Sequence, residues 1–376
     1  MEEFLMRNKL IALAVATVPI GQALAQSNVQ IYGLADVAYV NTNYGGNKKT
    51  QNAIDSTVLD GSHIGFRGSE DLGNDLKAIF ALEYRIDLDS NTGIGSDNPT
   101  RVVARQQYVG LTGGFGTLVA GRLQAAVFQW LGGLGPATEL VGSPALGAHH
   151  LVGMNGGFFS ATGRLNNAIG YTSPAYAGIT LGLAHGRLTE RASITGNADS
   201  AINQAAISYK KGPFTAGFAW SRASDWTLGE TGTIGPGYIV GTTSAPTADG
   251  ISAGYGRSIQ GHALTEIGLR AGYDFGVVKV MAIHQTMDNF APTAMRNYKD
   301  KKNVISVVVP VSTGKIVGEY AKANMESLPD AKAYTLMYQH NLSKRSALYG
   351  AFARVDSAGP ATSDYNRFAF GMLHRF

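Results

Sequence analysis

The chain contains no cysteine in 376 residues. That excludes disulfides, thiolate metal centres and cysteine nucleophiles. Runs of apolar residues are short, and none approaches the roughly eighteen needed to cross a bilayer as a helix. Leu, Ile, Val and Phe do not gather into the long blocks that buried parallel strands require, which argues against an α/β enzyme. Strong charge of one sign is missing too. The formal net charge is +4, and no Lys/Arg cluster resembles a nucleic-acid patch. The densest run, Lys299-Asp300-Lys301-Lys302, reads as a solvated junction between a loop and a strand. There is no G-x-S-x-G elbow, no phosphate-cradling glycine loop and no dinucleotide fingerprint.

What the chain does have is alternation. Phe368, Phe370, Met372 and His374 occupy every second position up to the terminal Phe376, with Arg367, Gly371 and Arg375 on the other beat. Leu76, Ala78, Phe80, Leu82 and Tyr84 alternate with Lys77, Ile79, Ala81, Glu83 and Arg85. Period two places successive side chains on opposite faces of a strand. A soluble sandwich alternates as well, so the start of the chain carries the decision. Arg7 and Lys9, the apolar run Leu10 to Val18 and Ala23-Leu24-Ala25 form a secretory signal peptide over residues 1–25, with Met6 as an alternative start because Glu2 and Glu3 do not suit a basic n-region. The four charges Glu2, Glu3, Arg7 and Lys9 cancel, so the mature chain keeps the excess of +4. The 48 glycines, many in strand-like stretches, suit a tightly curved sheet.

An exported, alternating chain without membrane helices is expected to be an all-β transmembrane antiparallel barrel. Residues 26–376 form one domain of about 16 strands. Seven short turns, at 71–74, 113–115, 174–178, 212–213, 275–276, 312–314 and 342–345, alternate with eight long connections at about 42–55, 89–100, 123–163, 188–202, 224–262, 287–301, 325–330 and 357–364. The first strand is expected to turn Val29, Ile31, Gly33, Ala35, Val37 and Tyr39 to lipid and Gln30, Tyr32 and Asp36 inward. Near 331–341, Tyr334, Leu336 and Tyr338 are expected outside and Thr335 and Gln339 inside.

Several segments carry a family resemblance: residues 29–36, the long stretch from Gly61 to Glu83, Arg105–Leu111, Phe115–Arg122, Gly163–Pro174, Leu342–Tyr349 and the closing His374-Arg375-Phe376. Together they make the chain similar to the general porins of Gram-negative outer membranes, in the betaproteobacterial form. The resemblance implies a sixteen-stranded homotrimeric barrel with long extracellular loops, passing small hydrophilic solutes and ions passively. It implies contact with outer-membrane lipid and lipopolysaccharide, and reading of Phe376 by the barrel-assembly machinery. No cofactor, metal or nucleic acid is implied.

The family folds its third loop into the lumen, with acids facing a basic wall; here that loop spans about 123–163. Its one acid is Glu139, and the chain departs from the family's usual sequence at that point. Arg105 and Arg164 match positions of lumenal arginines in the family, while His63 stands where the family usually shows arginine. Arg67 shares the inward beat of His63, Arg85 lies between Glu83 and Asp87 on its strand, and Arg122 stands at the base of the loop. These arginines and the histidine outnumber Glu139, Glu83 and Asp36 and predict a modest anion preference, because rings of charge in a narrow low-dielectric pore bias which ion enters. His63 adds a charge that can change between pH 5 and 8. The alternatives weighed are a substrate-selective channel using Phe128, Trp130, Phe158 and Phe159, an outer-membrane barrel enzyme built on His149-His150 or on His262 near Asp249, and an adhesin.

Overall fold

The computed structural model describes residues 28–45, 50–90, 94, 96–98, 101–102, 104–125, 145–152, 164–187, 201–224, 263–288, 299–326, 330–358 and 364–376. The signal peptide therefore lies outside the described residues, as do most of the long connections.

Among the described residues nineteen strands are formed. They are β1 (Gln30–Tyr44), β2 (Gln51–Ser56), β3 (His63–Gly73), β4 (Leu76–Arg85), a small hairpin of β5 (Ser96–Asn98) and β6 (Arg101–Val102), then β7 (Ala104–Gly113), β8 (Gly116–Gln124) and β9 (Arg164–Thr172). The second half runs β10 (Ile179–Arg187), β11 (Ala201–Lys211), β12 (Phe214–Ser224), β13 (Leu264–Asp274), β14 (Lys279–Asp288), β15 (Lys299–Val311), β16 (Gly314–Asn324), β17 (Ala331–Asn341), β18 (Ser346–Ser357) and β19 (Tyr365–Arg375). All but β5 and β6 belong to one seventeen-stranded antiparallel sheet, closed where β1 meets β19. β2 and β3 both pair with β1, at Val37–Thr42 and Gln30–Leu34 respectively, and together make one spanning strand. The barrel therefore has sixteen spanning strands. Closure leaves no unpaired edge, which is what lets a sheet stand in lipid.

Side-chain faces follow the alternation. Ala331, Ala333, Thr335, Met337 and Gln339 are buried inside, while Tyr334, Leu336 and Tyr338 are exposed outside. On β1, Leu34, Asp36, Ala38, Val40 and Thr42 point inward, and Ile31 and Tyr39 outward. Phe368, Phe370 and Met372 face out opposite the inward Arg367, Ala369 and Leu373. The first short turn falls at Asn74-Asp75, two residues later than the Asp71–Asn74 expected. Both residues take positive φ, 53° and 61°, the conformation that suits the twist of a tight hairpin.

Two departures from simple alternation matter for the lumen. Between β2 and β3 the chain leaves the wall at residues 57–62. Asp36 holds this inward segment: its Oδ2 accepts the backbone N–H of Leu59 at 2.5 Å and of Asp60 at 3.0 Å, and its Oδ1 accepts the Tyr349 hydroxyl at 2.7 Å. Val58 and Leu59 are thereby buried in the apolar cluster. The second departure is a bulge in β7. Leu82 pairs with Gln107 but Tyr84 pairs with Ala104, so β7 spends an extra residue. Val109 and Leu111 face outward, and strict alternation from them would turn Arg105 to lipid. The bulge brings it into the lumen instead.

The closing seam is tight. Gly33 and Phe376 exchange both backbone hydrogen bonds at 3.1 Å. A Cβ on Gly33 would stand 2.4 Å from the Phe376 ring and 2.5 Å from the His63 carbonyl oxygen. Gly33→Val is expected to reduce the folded, heat-modifiable fraction on a gel sharply, because the second obstacle is backbone and cannot rotate away. A wild-type folded fraction for Gly33→Val would show that the seam tolerates opening.

Candidate functional site

The sequence-predicted charges gather on one side of the lumen. On β3 and β4, Gly65 gives the Tyr32 ring room to lie across the inner face, since a Cβ there would meet it at 2.4 Å. The Tyr32 hydroxyl donates to Glu83 Oε2 at 3.0 Å. Glu83 Oε1 accepts from Arg105 Nε at 2.5 Å, and His63 Nε2 lies 3.8 Å from its Oε2. The Nδ1 of His63 is 2.6 Å from the Gly61 carbonyl oxygen. Glu83 is thus the hub that positions Arg105, His63 and Tyr32.

Two further arginines complete this wall. Arg122, on β8, donates from Nε to the Ala104 carbonyl at 2.9 Å and from Nη1 to Asn166. Both partners are neutral, so no acid is bonded to it among the described residues. Arg164, at the start of β9, lies within electrostatic reach of Arg105, Arg122 and Glu83. Its Nε and Nη2 are buried and have no hydrogen-bond partner among the described residues. Burying an unpaired cationic donor is costly.

The remaining predicted residues are placed differently. Arg67 sits further along β3 toward the short-turn rim, stacked on Tyr32 at 4.9 Å and donating to Gln30 Oε1 at 3.1 Å. Arg85 is tied to Asp87 at 2.8 Å and adds no net charge. The carboxylate of Asp36 serves the inward segment 57–62 rather than standing free on the wall. Glu139 lies outside the described residues, as do Phe128, Trp130, Phe158, Phe159, Asp249 and His262. Counting Arg105, Arg122 and Arg164 against Glu83, with Asp60 near Arg105 balanced by Arg375 at 3.5 Å, the described cluster carries two net positive charges.

Across the lumen lies a docked piece of the third connection. Ala145 to Val152, including the short helix α1 (Ala148–Leu151), packs on β15 to β18. Round the closed sheet β16 is eight strands from β8 in either direction, so this segment faces the arginine wall. Three inward side chains hold it. Glu319 Oε2 accepts the Ala148 N–H at 2.9 Å and lies 3.2 Å from His149 Nδ1. The Thr335 hydroxyl donates to the Leu146 carbonyl. Arg367 donates from Nη1 to the Ala145 carbonyl at 2.8 Å and from Nε to Thr42 Oγ1 at 3.0 Å. His149 is therefore part of a buried latch with Glu319. No group of three or more metal-ligating side chains occurs among the described residues.

Glu319 was not singled out in the sequence, and Thr335 and Arg367 were placed on the inward beat without a role. The signal that could have found them is polar or charged residues on the inward beat of strands whose outward partners, Tyr320, Tyr334, Leu336 and Phe368, were already legible.

A closed sixteen-stranded barrel with an apolar exterior, a charged wall and a loop docked inside is an aqueous channel through a membrane. A family model for Gram-negative porins matches residues 10–360, and the chain belongs to that family. It is a passive channel of the Gram-negative outer membrane rather than an enzyme. Outer membrane porin protein 32 of Delftia acidovorans is 29% identical over 367 residues, covering 95% of this chain and 92% of the relative. Major outer membrane protein P.IB of Neisseria meningitidis serogroup B is 32% identical over 213 residues, 56% of this chain and 57% of that protein. Among solved structures, an anion-selective porin from Comamonas acidovorans superposes with a TM-score of 0.71 at 24% identity, covering 93% of this chain and 100% of that one. An in-vitro folded OmpT of Vibrio cholerae in its trimer form gives 0.62 at 11% identity, covering 93% and 99%.

Proposed function

We propose that this porin prefers anions, and that Arg105, Arg122 and Arg164 set the preference where they face the docked segment 145–152. The observation that carries the reading is Arg164, whose buried Nε and Nη2 have no hydrogen-bond partner among the described residues, standing beside two other guanidiniums. The Comamonas porin, itself described as anion-selective, supports it. A salt-gradient reversal potential tests the sign: the anion side is expected, and the cation side would refute the charge count.

His63 is proposed as a further, titratable contributor. It faces Glu83, Arg105 and Arg164. The anion preference is expected to be larger at pH 5 than at pH 8 in the wild type and flat in His63→Gln. Identical wild-type reversal potentials at the two pH values would leave His63 as a neutral part of the wall.

The chain is further proposed to reach the outer membrane through the signal peptide at 1–25, to be folded by the barrel-assembly machinery reading Phe376, and to work as a homotrimer in contact with lipopolysaccharide. The trimer form of the Vibrio relative and the place of Phe376 in the closing seam support this.

A further inference from the structure

Arg67 carries open donors into the lumen, and the wall around it is aromatic. It follows Gly65 on the inward beat of β3, toward the turn at Asn74-Asp75 and so on the periplasmic side of the arginine cluster. Arg67 is exposed, whereas Arg367 is buried. Both stack on a tyrosine, Arg67 on Tyr32 at 4.9 Å and Arg367 on Tyr365 at 5.0 Å. Arg367 then spends its donors on the fold, Nη1 on the Ala145 carbonyl and Nε on Thr42. Arg67 spends Nε alone, on Gln30 Oε1. Among the described residues its Nη1 and Nη2 meet no acceptor, and it has no ion-pair partner.

The neighbours of Arg67 narrow what it could hold. Gln30, Arg67, Ala81 and Tyr108 are successive cross-strand partners on β1, β3, β4 and β7, so a small residue separates Arg67 from Tyr108. Tyr32 and Tyr108 are both half-buried. They lie within electrostatic reach of each other, of Arg67 and of Glu83. Glu83, the acid of this group, already accepts from Arg105 and from the Tyr32 hydroxyl. An open guanidinium fork matches the two oxygens of a carboxylate, and rings beside it match a flat apolar body. A chloride ion uses neither the fork nor the rings.

We infer that Tyr32, Arg67 and Tyr108 form a binding station for aromatic carboxylates on the periplasmic side of the filter. The carboxylate takes Nη1 and Nη2 of Arg67, and the ring of the solute rests against the two phenols. The inference rests on the anion preference proposed above and adds a solute class to it. Anions of any shape are admitted by charge at the arginine wall, and aromatic ones are held one step beyond it.

The test is single-channel recording of the full-length protein in a planar bilayer, with benzoate, cyclohexanecarboxylate or benzyl alcohol added to a chloride electrolyte. The first two carry the same charge on six-membered rings, and the third keeps the aromatic ring without the charge. Benzoate is expected to give a saturable block of the current, half-maximal at a concentration about ten-fold lower than cyclohexanecarboxylate requires, because two rings and a stacked cation favour it. Benzyl alcohol should not block over the same range. Tyr108→Leu should remove most of the difference between the two acids, and Arg67→Gln should weaken the benzoate block about ten-fold. Conductance in chloride shows that each variant has folded, so a lost block is not read from a broken barrel. Equal block by benzoate and cyclohexanecarboxylate in the wild type would overturn the station. So would a benzoate block unchanged in both Tyr108→Leu and Arg67→Gln. The reversal potential in chloride alone keeps the two readings apart. An anion-side reversal with equal block would remove the station and leave the preference. A cation-side reversal with a benzoate block that Arg67→Gln weakens would remove the preference and leave the station.

Discussion

Arg164→Glu is expected to abolish the anion preference of the channel. The substitution takes the cluster of Arg105, Arg122, Arg164 and Glu83 from two net positive charges to none. A unit charge about 4 Å from an ion shifts its energy by about 1 kcal/mol even in bulk water, and by more beside a low-dielectric wall. A change of two units acts with opposite sign on anions and cations, so the permeability ratio should fall at least about ten-fold. The effect belongs to Arg164 more than to its neighbours. Arg105 is held by Glu83 at 2.5 Å and is partly neutralised already. Arg122 is bound to two neutral acceptors and should give a smaller shift when changed to glutamine. A reversal potential unchanged in Arg164→Glu would remove this residue from the filter.

The second large effect is expected at the latch. Glu319 is fully buried and accepts hydrogen bonds from the docked segment, and Arg367 holds the carbonyl of Ala145. Removing one partner of a buried charged contact costs about 3–5 kcal/mol. Glu319 and Arg367 are the charged anchors described for residues 145–152, so the combined variant Glu319→Ala/Arg367→Ala should release the segment from β15 to β18. The expected readout is a larger and noisier single-channel conductance, with new protease cleavage between Ala145 and Val152. The barrel should survive, because every spanning strand keeps both ladder neighbours. Wild-type conductance and protection in the double variant would show that Leu146, Leu151 and Val152 dock the segment by apolar burial alone.

The wall of the barrel was legible because lipid outside and water inside impose period two on every spanning strand. Tyr334, Leu336 and Tyr338, or Phe368, Phe370 and Met372, declare their face without any knowledge of neighbours. The short turns were legible for a related reason, since hairpins need Gly, Asn, Asp or Ser at positive φ. The lumen was less so. The segment 57–62 leaves the wall because Asp36 and Tyr349, distant in sequence, converge on it. Arg105 points inward through a bulge that no local pattern in Arg105-Gln106-Gln107 announces. Asp36 counted as a wall charge in the sequence, and only its three hydrogen bonds show that the carboxylate is committed to holding a loop. Glu319 and the role of Arg367 escaped notice for the same reason. Their partners lie some 170 and 222 residues away, and inward polar residues are common in a water-filled barrel.

The measurement that bears most directly on the account is the zero-current potential of wild-type single channels in a planar bilayer under a salt gradient. Cooperative three-step conductance with a reversal on the anion side is the predicted result, from a trimeric channel governed by Arg105, Arg122 and Arg164. A reversal on the cation side would contradict it, because the described wall facing the docked segment carries a positive excess that no such channel could ignore.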